Sequence, residues 1–229
     1  MAETLDFDSF VLAASTANIT DEPAAREHAD AIEFRLDLAD EPLSALADYD
    51  GELPIIATNR ASWEGGEWTG TDEARLDALE SATEFERVRA IDVELASVDG
   101  GADRLVETAR ERDVAVIVSV HDFETTPPPS EMVRTLADAS EHGDVAKLAV
   151  TANAPADALA LLSATERCWT RGHRVATMAM GEVGRHTRAV APIYGSVLGY
   201  APVQPDDATA PGQYDLETLS ALIESLREA

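Results

Sequence analysis

The chain has 229 residues, 45% of them hydrophobic, with 17 Lys+Arg against 44 Asp+Glu, a net charge of −27. That length suits a single β/α barrel with a large buried core, and the apolar content excludes a disordered chain. The acidic balance excludes nucleic acid and anionic membranes as partners, because both require a basic face.

Read in chain order, short apolar runs alternate with longer amphipathic stretches. The runs are 10–14, 31–36, 54–58, 90–94, 115–120, 145–150, 174–178 and 196–200, which makes eight predicted strands. Most are continuous rather than alternating, as parallel strands covered on both faces are. Between them, Thr71 and Asp72 open a helix bearing Leu76 and Leu79. Ser130 caps a helix carrying Met132, Val133 and Leu136. Asp215 caps a last helix with Leu216, Leu219, Leu222, Ile223 and Leu226 on one face. The Gln204–Gly212 stretch reads as a surface loop that can serve as a lid. Eight β/α units predict an α/β fold, a closed (β/α)8 TIM barrel forming one catalytic domain over residues 1–229. An open doubly wound sheet is the alternative, but the sequence has no Gly-rich phosphate loop.

Cys168 is the only cysteine, so neither a disulfide framework nor a cysteine metal cluster is expected. No segment reaches the ~20 apolar residues of a membrane helix, and no signal pattern is present, so a cytoplasmic protein is expected. The acids are spread along the whole chain, a surface that self-repels in dilute salt and is screened in concentrated salt. An extreme halophile is the expected source, with an acidic mesophilic protein as the alternative.

The cations are unevenly chosen. All are arginine except Lys147, which lies within the apolar run Asp144-Val-Ala-Lys-Leu-Ala-Val150. Solvation of the surface does not explain a lysine there. Burial disfavours an ammonium, and a neutral amine is the nucleophile that converts a ketone into an iminium. The structural alternative is a lysine paired with Glu33 or Glu94.

In a barrel the chemistry gathers at the carboxyl ends of the strands. Glu33, Arg35 and Asp37 fall there, as do Arg60, Glu64, Asp92, Glu94, Ser119, His121 and Asp122. Apolar strands do not carry so many ionisable groups unless those groups pair or work. His121 is one strand from Lys147 and suits proton transfer in both directions. Arg35, Arg60 and Arg188 form a cationic set able to grip a carboxylate. Arg35 can also neutralise Glu33, and Arg60 can neutralise Glu64. Met178 and Met180 are candidates to wall the pocket.

Eight pieces in the same order resemble the type I 3-dehydroquinate dehydratase family. They are Glu33-Phe-Arg-Leu-Asp37, Arg60-Ala-Ser-Trp-Glu-Gly-Gly66, Ile91-Asp-Val-Glu94, Ser119-Val-His-Asp-Phe123, Ala146-Lys-Leu148, Met178-Ala-Met180, Gly184-Arg-His-Thr-Arg188 and Ala210-Pro-Gly-Gln213. The resemblance implies a cofactor-free hydro-lyase of the shikimate pathway acting on 3-dehydroquinate, with Lys147 as Schiff-base nucleophile and His121 as general acid/base. It implies that Arg188 binds the substrate carboxylate, that Glu33, Arg35, Arg60, Thr209 and Gln213 bind substrate or order the site, and that Glu64 fixes the loop after the third strand. It also implies a homodimer. Thr209 stands where the family often has serine, and Tyr200 where it often has phenylalanine. The competing functions are another Schiff-base barrel enzyme such as an aldolase, a metal-dependent barrel enzyme built on Glu33, Asp92, Glu94 and His121, or a non-catalytic acidic binding module.

Overall fold

The computed structural model describes residues 5–204 and 212–227. The strands are β1 (Val11–Thr16), β2 (Ala31–Arg35), β3 (Ile55–Thr58), β4 (Val88–Glu94), β5 (Ala115–Asp122), β6 (Val145–Thr151), β7 (Val175–Met180) and β8 (Leu198–Pro202). Helices α1 (Glu22–Ala25), α2 (Pro42–Ala47), α3 (Asp72–Ala82), α4 (Leu95–Asp99), α5 (Asp103–Glu111), α6 (Pro129–His142), α7 (Pro155–Trp169), α8 (Thr187–Val190) and α9 (Leu216–Arg227) follow or separate them. The eight strands form one parallel sheet in the order β7-β6-β5-β4-β3-β2-β1-β8. The sheet closes on itself where the Val197 amide donates to the Val175 carbonyl at 2.8 Å, beside a parallel bridge between Val175 and Ser196. The fold is the (β/α)8 barrel that the alternating pattern predicts.

Two apolar layers follow from the period of two along each strand. Outward residues such as Ile32, Phe34, Ile91, Val93, Val118 and Leu148 pack beneath the helices. Inward residues are smaller and fill the barrel: Ala13, Ala31, Ile56, Ala90, Ile117, Val145 and Ala176, closed below by Phe7. The inward positions nearer the carboxyl ends turn ionisable, and this puts the polar groups where the sequence predicts an active site.

Helix boundaries hold in part. Thr71 caps α3, accepting from the Ala74 amide, and Asp215 accepts from the Thr218 amide ahead of α9. Ser130 is not a cap: Pro128 occupies the cap position and Ser130 lies within the first turn, because Pro129 already supplies a helical φ and needs no amide partner. In α9, Leu216, Leu219 and Ile223 are buried, but Leu222 and Leu226 stay exposed, since their turn faces away from β8.

Candidate active site

Inward side chains of a (β/α)8 barrel stack in layers of four, supplied by alternate strands. Here the even strands bring Glu33 from β2, Asp92 from β4, Lys147 from β6 and Tyr200 from β8 to one level. Lys147 is 5% exposed. Its Nζ donates to Asp92 Oδ2 at 2.8 Å, is 3.9 Å from Glu33 Oε1, and lies 4.2 Å from the centre of the Tyr200 ring. The lysine's main partner is therefore Asp92; Glu33, one of the two carboxylates expected, makes a longer ion pair with it, and Glu94 makes none among the described residues. Glu94 pairs in register with Ser119, which pairs with Lys147. Strand tilt, however, carries that carboxylate above the lysine's layer.

A run of alternating charge extends outward from this layer. Arg60 Nη2 meets Asp92 Oδ1 at 2.8 Å, and Arg60 Nη1 donates to Glu94 Oε1 at 3.0 Å. Arg75, a fully buried arginine of α3, donates to Glu94 Oε2 at 2.7 Å and to the Asn59 carbonyl at 2.8 Å. Ser119 Oγ accepts from Arg60 Nη1 at 2.7 Å and donates to Asp92 Oδ1 at 2.6 Å. Burial alone would raise the Asp92 carboxyl, but Arg60 and Lys147 together hold it well below the usual carboxylate range. Arg60 thus neutralises Asp92 and Glu94 rather than Glu64. Arg35 grips Asp37 with two bonds, of 2.9 and 2.6 Å, rather than Glu33. The turn Leu36–Leu38 brings Asp37 back to the arginine. Glu33 instead accepts from Ser15 Oγ and, at 3.1 Å, from Thr58 Oγ1.

His121, inward on β5, has its Nδ1 2.7 Å from Glu64 Oε2. Burial, then Arg60 and Lys147, push the imidazole well below its ordinary value, so the ring is neutral at neutral pH. Burial also pushes the Glu64 carboxyl up to about 7, against Arg60 and with the help of Glu94 and Asp92. The Glu64 carboxylate is thus spent on the histidine, beyond the loop-fixing role the resemblance implies. The loop holds by close backbone packing: the Gly66 amide donates to the Ala61 carbonyl at 2.9 Å, and a β-carbon on Gly66 would come within 2.1 Å of the Arg60 carbonyl oxygen. Gly65 adopts φ +79° under the Phe123 ring, which stacks on His121 with ring centres 5.9 Å apart.

Arg188 is set by the turn after β7. Gly184 lies against Ala179, leaving no room for a side chain, and Thr187 Oγ1 donates to the Gly184 carbonyl at 2.7 Å. This aims Arg188 into the same pocket, where its Nε and Nη2 are buried without a hydrogen-bond partner among the described residues. Burial lowers its guanidinium to about 10. Every other arginine in this pocket is paired with a carboxylate; Arg188 is left to receive an anion.

The pocket brings together Glu33, Arg35, Arg60, Glu64, His121, Lys147, Met178, Met180, Arg188, Tyr200 and Gln213. Thr209 lies outside the described residues. Asp92 holds the nucleophile directly and Ser119 holds Asp92, a role that strand register alone did not reveal. Glu33, Asp92 and Glu94 are taken up by Lys147, Arg60 and Arg75, and His121 by Glu64, and no three His, Cys, Asp or Glu side chains gather as a metal-binding group among the described residues. No described helix is long and apolar enough to cross a membrane.

The chain is 54% identical to a 3-dehydroquinate dehydratase of Haloarcula marismortui, over 97% of this chain and 99% of that protein. It is 49% identical to one of Halobacterium salinarum, over 97% of this chain and all of that protein. Both organisms are halophilic, in keeping with the acidic composition. The crystal structure of 3-dehydroquinate dehydratase from Geobacillus kaustophilus superposes with a TM-score of 0.86 at 27% identity, covering 96% of this chain and 92% of that one. Residues 11–229 match the model of the type I 3-dehydroquinases. With the layer of Glu33, Asp92, Lys147 and Tyr200 at its centre, this chain belongs to the type I 3-dehydroquinase family.

Proposed function

We propose that this protein dehydrates 3-dehydroquinate to 3-dehydroshikimate through a Schiff base on Lys147. One observation carries the reading: the only lysine of the chain is buried in a pocket that it shares with a neutral histidine and an arginine with no carboxylate partner among the described residues. Arg188 takes the substrate carboxylate. With one ammonium proton passed to His121, Lys147 Nζ attacks the C3 ketone to give a carbinolamine, whose hydroxyl leaves as water with that proton to give an iminium. The iminium draws electrons from the adjacent carbon, and neutral His121 removes the C2 proton. The resulting enamine expels the C1 hydroxyl, which leaves as water with the proton from His121. Water then hydrolyses the conjugated iminium, so the net change is the loss of one water.

Glu64 holds Nδ1 of His121 and leaves Nε2 to face the substrate. Glu33, Thr209 and Gln213 are assigned to the ring hydroxyls. Arg35 and Arg60, spent on Asp37, Asp92 and Glu94, order the site more than they grip the substrate. The reading needs no cofactor. It places the barrel, as one catalytic domain, in the cytoplasm as a homodimer; Trp169 and Ile193, both more than half exposed on one side of the barrel, offer apolar surface to a second copy.

The test is intact mass and peptide mapping after treatment with 3-dehydroquinate and borohydride in molar salt. A stable adduct on Lys147, missing in Lys147→Ala, is the expected outcome. Folded protein that forms no adduct overturns the mechanism. Light scattering on the same sample gives twice the mass of the chain if the dimer holds.

A further inference from the structure

Tyr200 is the fourth member of the lysine's layer, and nothing in the mechanism above uses it. It is 4% exposed on β8, two strands away from β6. Its hydroxyl is buried without a hydrogen-bond partner among the described residues. What it presents to the site is the ring face, with Lys147 Nζ 4.2 Å above the centre. That position is inside the range over which an aromatic quadrupole attracts a cation, and the attraction is strongest where water is excluded.

The surroundings of Nζ change during the reaction. An ammonium has three hydrogens to donate, and here one goes to Asp92. An iminium nitrogen carries the chain carbon, the substrate carbon and a single hydrogen. Asp92 takes that hydrogen, and Glu33, at 3.9 Å, can no longer be given one. The positive charge, now shared with the substrate carbon, keeps Asp92 on its one hydrogen and the ring on its face. The carbinolamine before it and the enamine after it are neutral and gain nothing from a ring face.

We infer that the Tyr200 ring stabilises the iminium selectively, by a cation–π contact beneath Lys147, and so sets how much of the bound enzyme stands as iminium during turnover. The iminium forms as the C3–OH bond of the carbinolamine breaks, the hydroxyl leaving as water with the proton that His121 took from Lys147, while the nitrogen lone pair forms the second C–N bond. The inference rests on the Schiff-base reading.

The experiment replaces Tyr200 with phenylalanine and then with mono-, di- and trifluorinated phenylalanines by nonsense suppression. These near-isosteric rings have progressively weaker quadrupoles. At saturating 3-dehydroquinate, the rate at which borohydride inactivates the enzyme reports the iminium population. It is expected to fall about twofold with each fluorine, with each protein's fold checked by its melting curve. A rate that is flat across the series while Lys147 is still reduced overturns the role of the ring and leaves the Schiff base standing. Absence of any adduct, in wild-type protein as well, overturns the inference together with the mechanism it rests on.

Discussion

Lys147 and Asp92 come from strands that are not neighbours, and yet they share a 2.8 Å hydrogen bond at the centre of the barrel. Asp92 is also the counter-charge for Arg60, so one carboxylate fixes both the nucleophile and the cation above it. Asp92→Asn keeps the shape and removes the counter-charge shared by two buried cations. A loss of about 3–5 kcal/mol of stability is expected, since breaking a buried pair leaves uncompensated charge. The same change at the exposed Arg104–Asp77 pair, Asp77→Asn, should cost at most about 1 kcal/mol. Chemical denaturation of both variants in molar salt measures the contrast.

The Glu64–His121 pair gives a pH signature. Glu64, which accepts from Nδ1 of His121, takes up a proton at about 7 and the pair then loses its free Nε2 base, so the acid limb of kcat/KM should have its midpoint near 7, and His121→Ala should lower kcat by about 10²–10⁴-fold. In stability, the folded Glu64 carboxyl holds its proton up to about 7 against 4.5 in the unfolded chain. The native state then binds more protons across that window, so its stability falls as pH rises through it. Wild type should lose about 3 kcal/mol relative to Glu64→Gln between pH 4.5 and 7. His121 acts in the opposite sense and lower down, costing stability as pH falls below 6.5. A pH series of denaturation midpoints for the two proteins isolates the Glu64 contribution; parallel curves would count against it.

Arg188 should trade stability for binding. Its Nε and Nη2 are buried without partners among the described residues, a desolvation cost of about 1–3 kcal/mol that the substrate carboxylate would offset. Arg188→Leu is therefore expected to melt higher than wild type while its KM rises by about 10-fold or more. Steady-state kinetics and a melting curve on one preparation suffice. A variant that melts lower with unchanged KM would make Arg188 a structural residue.

At a net charge of −27, self-repulsion is a large unfavourable contribution in dilute buffer. Raising salt from about 0.01 to 1 M shortens the screening length from about 30 to 3 Å. The melting temperature should climb steeply over that range and then flatten. A melting temperature that does not respond to salt would remove the halophilic reading.

The sequence carried the strands well, because continuous apolar runs broken by caps and turns admit few alternatives in a barrel. Polar residues at inward positions, such as Asp92 and Lys147, were visible as exceptions to that pattern. Their pairings were not. Matching Lys147 with Glu94 follows the register of neighbouring strands, whereas the contacts follow layers drawn from alternate strands, and tilt separates the two by a residue pair. Arg35 misled for a more local reason: Glu33 shares its face, but the turn after β2 returns Asp37 to it. Leu222 and Leu226 fit a helical stripe wider than the surface α9 has to cover.

A lysine count of one has a practical consequence. Among side chains only Lys147 offers a primary amine, and it is held against Asp92 and Tyr200 inside the barrel mouth. Covalent tagging at that nitrogen therefore reads out occupancy of the pocket it lines: whatever fills the site shields the amine. The nucleophile doubles as a built-in, single-site reporter of ligand binding, with no engineered probe required.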